Sequence, residues 1–438
     1  MVHTGLAAAG GVAIKQRFAK AGWSSAGLDV TSTAVSRTVT LVLVDAGGSP
    51  LGALPPYQVE LPWWPETEDV VAGARERYGL DVTVLRLLAA HRPAPPGGAV
   101  TYLAEVAEPP TGWPRMLTPV QVDLAPHPLR AAYAETGGPA ASLAWAGEAL
   151  RRLGRGPIRI STQRKTWNLS AIWRLQDDVG QVWLKQVPPF FGHEAPVLSW
   201  FAATADAVAP ALLATDGARM LLEDVPGEDL FGAAAPVRGA MLAQLHAVQA
   251  RAVGEADDLV ALGVPDRRGD LLTARVRTVA ERHGAGIAGL PALIAGLCDR
   301  LSAVRRCGLP DTLVHGDFHP GNVRGDRTRM VILDWGDCFV GHPGFDALRM
   351  VEDLDDDAAR DLLRVWDRAW RGTVPGCEPA AALDLLRPVA PLLGAAAYAG
   401  FVDGIEPTEH PYHAGDVPAC LHRAAELALQ ERSLLPLI

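Results

Sequence analysis

The sequence predicts an α+β protein of more than one domain, and three observations carry that reading. The chain has 438 residues, against roughly 100 to 200 per domain. A strand-rich middle section is followed by a long Ala/Leu-rich helical half, and a small α/β unit precedes both. Apolar residues make up 49% and charged residues 21%, an ordinary globular balance that excludes wholesale disorder and collagen-like or coiled-coil architectures. Forty Lys and Arg against fifty Asp and Glu leave a formal charge of −10. A surface of that sign does not attract a phosphate backbone, so nucleic acid is not expected as a partner.

In the first unit, from about Val35 to Val106, apolar runs such as Val39 to Val44 alternate with turn signals such as Gly47-Gly48-Ser49-Pro50. Glu66 to Tyr78 reads as a helix. It puts Val70, Val71 and Ala74 on one face, places acids early, and has Gly79 in the stop position. A strand, Val82 to Leu88, follows. Pro93 to Gly98 and Glu108 to Pro114 read as loops, and Leu143 to Leu153 as a helix ended by Gly154-Arg155-Gly156-Pro157.

The second unit begins with strands at Ile158 to Ser161, Ala171 to Leu175 and Gln181 to Gln186. The last two form a hairpin around Asp177-Asp178-Val179-Gly180, and alternation sends Val182 and Leu184 to one face and Trp183 and Lys185 to the other. A helix near Ala195 to Ala207 and strands at Ala211 to Leu213 and Arg219 to Leu222 complete it. Helices at Val237 to Ala252, Ala292 to Arg306, Asp357 to Trp370 and Ala419 to Glu431 fill the third unit. The expected division is 1–152, 153–226 and 227–438.

Five scattered cysteines without a C-x-x-C pair suggest neither a disulfide framework nor a zinc ribbon. Met1 to Ala9 lacks a basic, then apolar leader, and the uncharged run Pro388 to Val402 is too short for a bilayer span. A cytoplasmic protein with no membrane partner is expected.

The chemistry gathers in one polar segment, Leu313 to Asp337 (LVHGDFHPGNVRGDRTRMVILDWGD). An apolar approach delivers His315-Gly316-Asp317, Asn322 follows, and a strand from Met330 to Leu333 ends in Asp334. Alone, an Asp in a loop is usually a turn residue or a helix cap; the ordered set is what points to a site. Two carboxylates and a carboxamide at a strand-loop-strand mouth suit Mg²⁺, which prefers oxygen ligands and is typically shared with nucleotide phosphates. Asp317 beside such a metal can orient a hydroxyl and accept its proton during phosphoryl transfer, a reaction catalysed mostly by positioning and charge neutralisation. That layout also needs a strand-borne cation for the phosphates. Lys185 fits, with Glu194 at the next helix as its ion-pair partner. The intervening stretch before the hairpin, Ser161 to Ser170, is expected to be a phosphate-facing loop, although it has no glycine.

HGDFHPGN followed by ILDWGD resembles the catalytic and metal motifs of the aminoglycoside phosphotransferase family, a small-molecule branch of the protein-kinase-like fold. The resemblance runs from about Ile158 to the C-terminus. It implies a bilobal structure with an antiparallel-sheet N-lobe and a mostly helical C-lobe. It also implies that Asp317 is the catalytic base, that Asn322 and Asp334 hold Mg²⁺, and that Lys185 grips the phosphates of ATP. Glu223 to Val225 would offer backbone groups to the adenine, and Asp346 would brace the catalytic loop. His315 and His319 are expected to position that loop.

Leu61 to Leu80 is similar to the helix signature of Nudix hydrolases. Glu76 stands where one metal-binding Glu belongs, but Arg77, Ala72 and Gly73 replace its Glu neighbour and the Arg-Glu pair. A single carboxylate cannot hold the divalent ions of pyrophosphate hydrolysis, so a non-catalytic Nudix-like cap or docking domain is expected.

The acceptor pocket is expected in the helical third unit. Tyr398 to Asp416 combines aromatic rings with Asp403, Glu406, Glu409 and Asp416, which suits a hydroxylated or amine-bearing ligand. The functional expectation is an ATP- and Mg²⁺-dependent kinase acting on a small-molecule hydroxyl, with an aminoglycoside or amino sugar among the candidates. A choline-, homoserine- or thioribose-like acceptor and a nucleotide-binding pseudokinase are the alternatives; the glycine-free loop favours the pseudokinase and the intact Asp317, Asn322 and Asp334 set opposes it.

Overall fold

The computed structural model describes residues 36–107, 116–204, 207–326 and 329–434; Met1 to Ala9 and Glu108 to Pro114 lie outside them. The first unit is a sheet built from β1 (Arg37–Asp45), β2 (Pro50–Ala53), β3 (Tyr57–Val59), β4 (Val82–Ala90) and β5 (Gly98–Val106). Its order is β2-β1-β5-β4, with β3 also on β1 and with β1 parallel to β5. The central strand explains its own sequence: Val39, Leu41 and Leu43 enter the main core while Val42 and Val44 pack on the opposite face with Leu85 and Leu103, so the run is apolar on both faces.

The helix α1 spans Glu68–Tyr78 and starts two residues later than the sequence suggests. Gly79 ends it in the left-handed conformation (φ 66°) with its N–H on Arg75 O. The loop before it is pinned by a wholly buried Arg37, which donates to the carbonyls of Trp63, Trp64 and Glu66, to the Tyr102 hydroxyl and to Asp69. A cation this deep persists because its two terminal nitrogens are matched by acceptors, with only Nε left over.

Next come α2 (Gly138–Arg152), β6 (Ile160–Trp167), β7 (Ser170–Gln176), β8 (Gln181–Gln186), α3 (Glu194–Ala203), β9 (Leu212–Thr215) and β10 (Arg219–Glu223). The strands form an antiparallel sheet in the order β6-β7-β8-β10-β9. The expected alternation in β8 is observed, with Val182 and Leu184 buried beneath Ala146, Ala149 and Leu150 of α2. That packing revises one boundary. A division at residue 152 parts α2 from the sheet whose apolar face it covers, because the Gly154 to Pro157 break is only a tight connection back onto that sheet.

The second half contains β11 (Glu228–Asp229), α4 (Ala235–Ala252), α5 (Ala256–Ala261), α6 (Gly269–His283), α7 (Leu290–Ala295), α8 (Leu297–Arg306), β12 (Thr312–Val314), β13 (Val323–Gly325), β14 (Met330–Ile332) and β15 (Phe339–Gly341). It closes with α9 (Gly344–Val351), α10 (Asp356–Thr373), α11 (Pro379–Leu386), α12 (Ala390–Asp403) and α13 (Asp416–Leu434). The helix expected over Ala292 to Arg306 is two helices, since Gly296 interrupts it. Trp366 and Trp370 form the buried stripe of α10. An antiparallel-sheet lobe followed by a helical lobe is the α+β, bilobal arrangement expected. Among the described residues no single helix is long and apolar enough to cross a membrane.

The first sheet is braced against both lobes. Gln163 on β6 exchanges two hydrogen bonds with the Val84 backbone (2.7 and 2.9 Å), and Thr166 N donates to Pro65 O at 2.9 Å. Towards the helical lobe, Arg130 pairs with Glu406 at 2.9 Å, Arg86 approaches the same carboxylate at 3.5 Å, and Trp64 meets Tyr412 edge to face. Leu87 N donates to Glu409 at 3.5 Å.

Glu409 is buried beside Glu406, and its pKa is pushed up to about 8, chiefly by burial and then by Glu406; Leu87 N–H, Arg86 and Arg130 pull the other way. The folded state therefore binds a proton that the unfolded chain has released, and the stability this confers below the usual glutamate pKa is lost as pH rises through about 8. Thermal melts from pH 5 to pH 9 should show the midpoint falling, and Glu409→Gln should flatten that fall by an amount on the order of a few kcal/mol. Parallel wild-type and variant curves would sink the assignment.

Candidate active site

The site is assembled around β12, which pairs with β15 and ends at His315. Gly316 adopts φ 83°, where a Cβ would strike the Asp337 carbonyl, so glycine is required. Asp346, near the start of α9, accepts from His315 N (2.8 Å), Gly316 N (3.0 Å) and Gln249 Nε2 (2.9 Å). It braces the loop backbone, as the resemblance implies. His315 is held neutral, its pKa lowered to about 4 by burial. Its Nδ1 accepts from Asp317 N, so its proton sits on Nε2 and is donated to Leu333 O at 2.9 Å. Both expected loop-positioning histidines do this work: His319 Nδ1 accepts from Gly321 N at 3.0 Å.

Strand pairing brings the distant motif in. Val323 of β13 faces Ile332 of β14, and one step further Leu333 N donates to Asn322 O at 2.7 Å. Asp334 therefore emerges beside the Asp317–Asn322 loop. It is the one non-glycine residue with positive φ (62°) among those described, a conformation that aspartate tolerates better than most. Trp335 anchors it from behind, with Nε1 on Ile332 O and its ring against Phe201 and His315.

Lys185 reaches this cluster from the other lobe. Its Nζ lies 2.6 Å from Glu194 Oε1 and 2.8 Å from Asp334 Oδ1. Burial alone would draw the lysine pKa down and push that of Glu194 up; two carboxylates at these distances override this and hold the ammonium charged. Glu194 pairs with Lys185 although it follows by only nine residues, because the Pro-rich link after β8 turns directly into α3.

Asp317 is held at both oxygens. Oδ2 accepts from Asn322 Nδ2 at 3.2 Å and faces His319 Nε2 at 3.5 Å, and Oδ1 accepts from Arg349 Nε at 3.0 Å. Sequence reasoning missed Arg349. Its signal was present in the spacing from Asp346, three residues earlier on the same helix face.

Three expectations need correction. Ser161 to Ser170 is not a loop: β6 continues to Trp167, and only Asn168 and Leu169 join it to β7. That tip is buried. Asn168 contacts the Glu409 carbonyl and His413, while Trp167 meets Tyr412. The strand persists because the segment Pro65 to Thr67, just before α1, pairs along its edge, through Thr67 N to Arg164 O and Thr166 N to Pro65 O.

The second correction only narrows the base-binding segment. Glu223 and Val225 do sit where β10 leaves the sheet, and of its backbone groups Glu223 N is bonded to Ala211 O and Val225 O accepts from Arg324 Nε at 2.7 Å. Those two groups are taken within the chain, and the expectation is carried by the rest of the segment.

The third concerns the acceptor carboxylates, which do not converge. Asp403 forms a surface pair with Arg282, Glu406 neutralises Arg130 and Arg86, Glu409 is buried against the first sheet, and Asp416 is buried at the start of α13. The acidic run is spent on bracing rather than on an open pocket.

Comparison with known proteins bears on this geometry. Residues 164–383 match the profile of the APH phosphotransferase enzyme family. No curated protein matches the sequence. Among solved structures, a macrolide 2′-phosphotransferase from Brachybacterium faecium is similar at 20% identity, covering 63% of this chain and 97% of that one with a TM-score of 0.46. A protein from Ralstonia eutropha described as a putative aminoglycoside phosphotransferase matches at 18% identity over 67% and 98% of the two chains, TM-score 0.48. A choline kinase from Streptococcus pneumoniae matches at 11% identity over 66% and 98%, TM-score 0.47. The profile match covers half of the chain and includes Lys185, Asp317, Asn322 and Asp334, the residues that the fold brings together: the protein belongs to the phosphotransferase enzyme family.

Proposed function

We propose that the protein transfers the γ-phosphoryl group of ATP, with Mg²⁺, to a hydroxyl of a small molecule. The observation that supports this is the ion pair across the lobes: Lys185 Nζ on Asp334 Oδ1 at 2.8 Å brings an ammonium beside the Asp317–Asn322 loop, where it can serve the phosphates. The donor set fits Mg²⁺. Asn322 turns its Nδ2 onto Asp317, which leaves Oδ1 as its metal-facing atom, and the Asp334 side chain is 53% exposed and reachable. Bound there, the ion would neutralise phosphate charge.

The chain's own residues divide the remaining tasks. Lys185 grips the phosphates, and backbone groups of Glu223 to Val225 lie at the β10 exit for the base. Asp317, fixed at both oxygens, orients the acceptor hydroxyl and takes its proton. Aminoglycosides and amino sugars remain candidate acceptors alongside choline-, homoserine- and thioribose-like metabolites. The first sheet is proposed to be a non-catalytic Nudix-like unit. Its Glu76 lies exposed on α1, and its contacts with both lobes support a bracing role.

The test is transfer of label from γ-labelled ATP to a panel of aminoglycosides, amino sugars and hydroxylated metabolites, with Asp317→Asn as control. Labelled product with wild type alone is expected; no transfer to any acceptor and no background hydrolysis would overturn the reading. The buried, glycine-free β6–β7 tip supports a second reading, a nucleotide-binding pseudokinase. Thermal stabilisation by Mg-ATP without transfer to any acceptor would favour it.

A further inference from the structure

We propose that Arg349 is a positioning residue for the transfer reaction, and that α9 acts as a rigid jig aligning the catalytic loop at two points. This rests on the phosphotransferase reading above. Asp346, Arg349 and Glu352 follow one another at intervals of three residues and so lie along one face of the helix. Together they form a linked set of contacts. Asp346 fixes the loop backbone through the His315 and Gly316 N–H groups. Arg349 fixes the side chain of the next residue, with Nε on Asp317 Oδ1 at 3.0 Å. Glu352 fixes Arg349 in turn, accepting from Nη1 at 2.7 Å.

The guanidinium is planar, and with Nε and Nη1 both engaged its orientation is set from two sides. Its side chain is 22% exposed and that of Asp317 is 12% exposed, so the pair is sheltered from screening by solvent. Asn322 holds the other carboxylate oxygen at 3.2 Å. The plane of the Asp317 carboxylate is therefore set from two sides, by an amide from its own loop and by a cation from α9. An acceptor hydroxyl must approach an oxygen of that carboxylate along a remaining lone pair, and the direction of that lone pair is what Arg349 determines. Misplacement of a reacting group by about 1 Å can cost roughly a hundredfold in rate.

The test compares wild type, Arg349→Gln, Arg349→Lys, Glu352→Gln, Asp317→Asn and the double variant Asp317→Asn/Arg349→Gln in the full-length chain. It uses an acceptor from the panel, with kcat, both KM values and the thermal midpoint measured for each. Arg349→Gln is expected to lower kcat about ten- to a hundredfold with the nucleotide KM nearly unchanged, and added guanidinium ion should restore part of the loss. Arg349→Lys, which keeps the charge but not the fork, should recover only part of the rate. Glu352→Gln should show a smaller loss. The double variant should be no slower than Asp317→Asn alone, because a residue acting only through Asp317 has nothing further to lose once Asp317 is gone. A kcat unchanged in both Arg349 variants, or a double variant slower than Asp317→Asn, would overturn the role of Arg349 and leave the phosphotransferase reading standing. A wild type that modifies no acceptor would sink both together.

Discussion

Replacing Asp317 with asparagine is expected to lower kcat for phosphoryl transfer by about 10²- to 10⁴-fold, the range for loss of a positioned general base. The substitution changes charge at nearly constant volume. It also replaces one acceptor oxygen by an amide donor, which must face either Arg349 Nε or Asn322 Nδ2, so one of the two flanking hydrogen bonds is lost. Binding of Mg-ATP should persist, because Lys185 and Asp334 are paired independently of Asp317. Steady-state kinetics with a nucleotide-binding measurement on the same preparation decides the matter. A variant that keeps more than about a tenth of wild-type kcat contradicts the role of Asp317 as base.

The second large effect is expected at Lys185, on stability as well as on activity. Glu194 is almost wholly buried, and its main support is the Lys185 ammonium at 2.6 Å from Oε1, with the Trp335 backbone N–H as a lesser one. Lys185→Met strands that carboxylate, and removing one partner of a buried pair costs about 3–5 kcal/mol. The variant should then become sensitive to pH in a definite direction. An unpaired buried Glu194 is more stable protonated, so the folded state gains a proton relative to the unfolded chain and stability falls as pH rises through neutrality. Denaturant melts of Lys185→Met at pH 5.5 and pH 8.5 should show the larger deficit at the higher pH. Adding Glu194→Gln should recover much of it without restoring turnover. Equal melts for wild type and Lys185→Met would mean that the ion pair does not exist in solution.

Both predictions concern residues that the sequence offers directly, and the reason is local. His315 to Asn322 is one short loop and Met330 to Asp334 one short strand, so spacing along the chain nearly equals spacing in the fold. The same holds for the β7–β8 hairpin, where a period of two places Val182 and Leu184 beneath α2 and Lys185 opposite them.

Where partners are remote, the sequence is silent. The acidic residues Glu406 and Glu409 look like an acceptor pocket until Arg86, Arg130 and Leu87, more than three hundred residues upstream in the case of Leu87 to Glu409, are seen to occupy them. The stretch before Trp167 looks like a phosphate loop until the segment Pro65 to Thr67, about a hundred residues upstream, is seen to pair with its edge.

By itself the sequence determined the β7–β8 hairpin, the sheet-then-helix order of the two lobes, and the ordered set of Asp317, Asn322 and Asp334 with Lys185 upstream. These follow from periodicity and from short-range geometry, which each segment carries within itself. Only the tertiary structure decided which charges were left for chemistry. Whether a carboxylate is a ligand or a brace depends on the cation it meets. For Asp317 that cation is Arg349 and for Glu406 it is Arg130, meetings set by the packing of whole elements and by no pattern within either one.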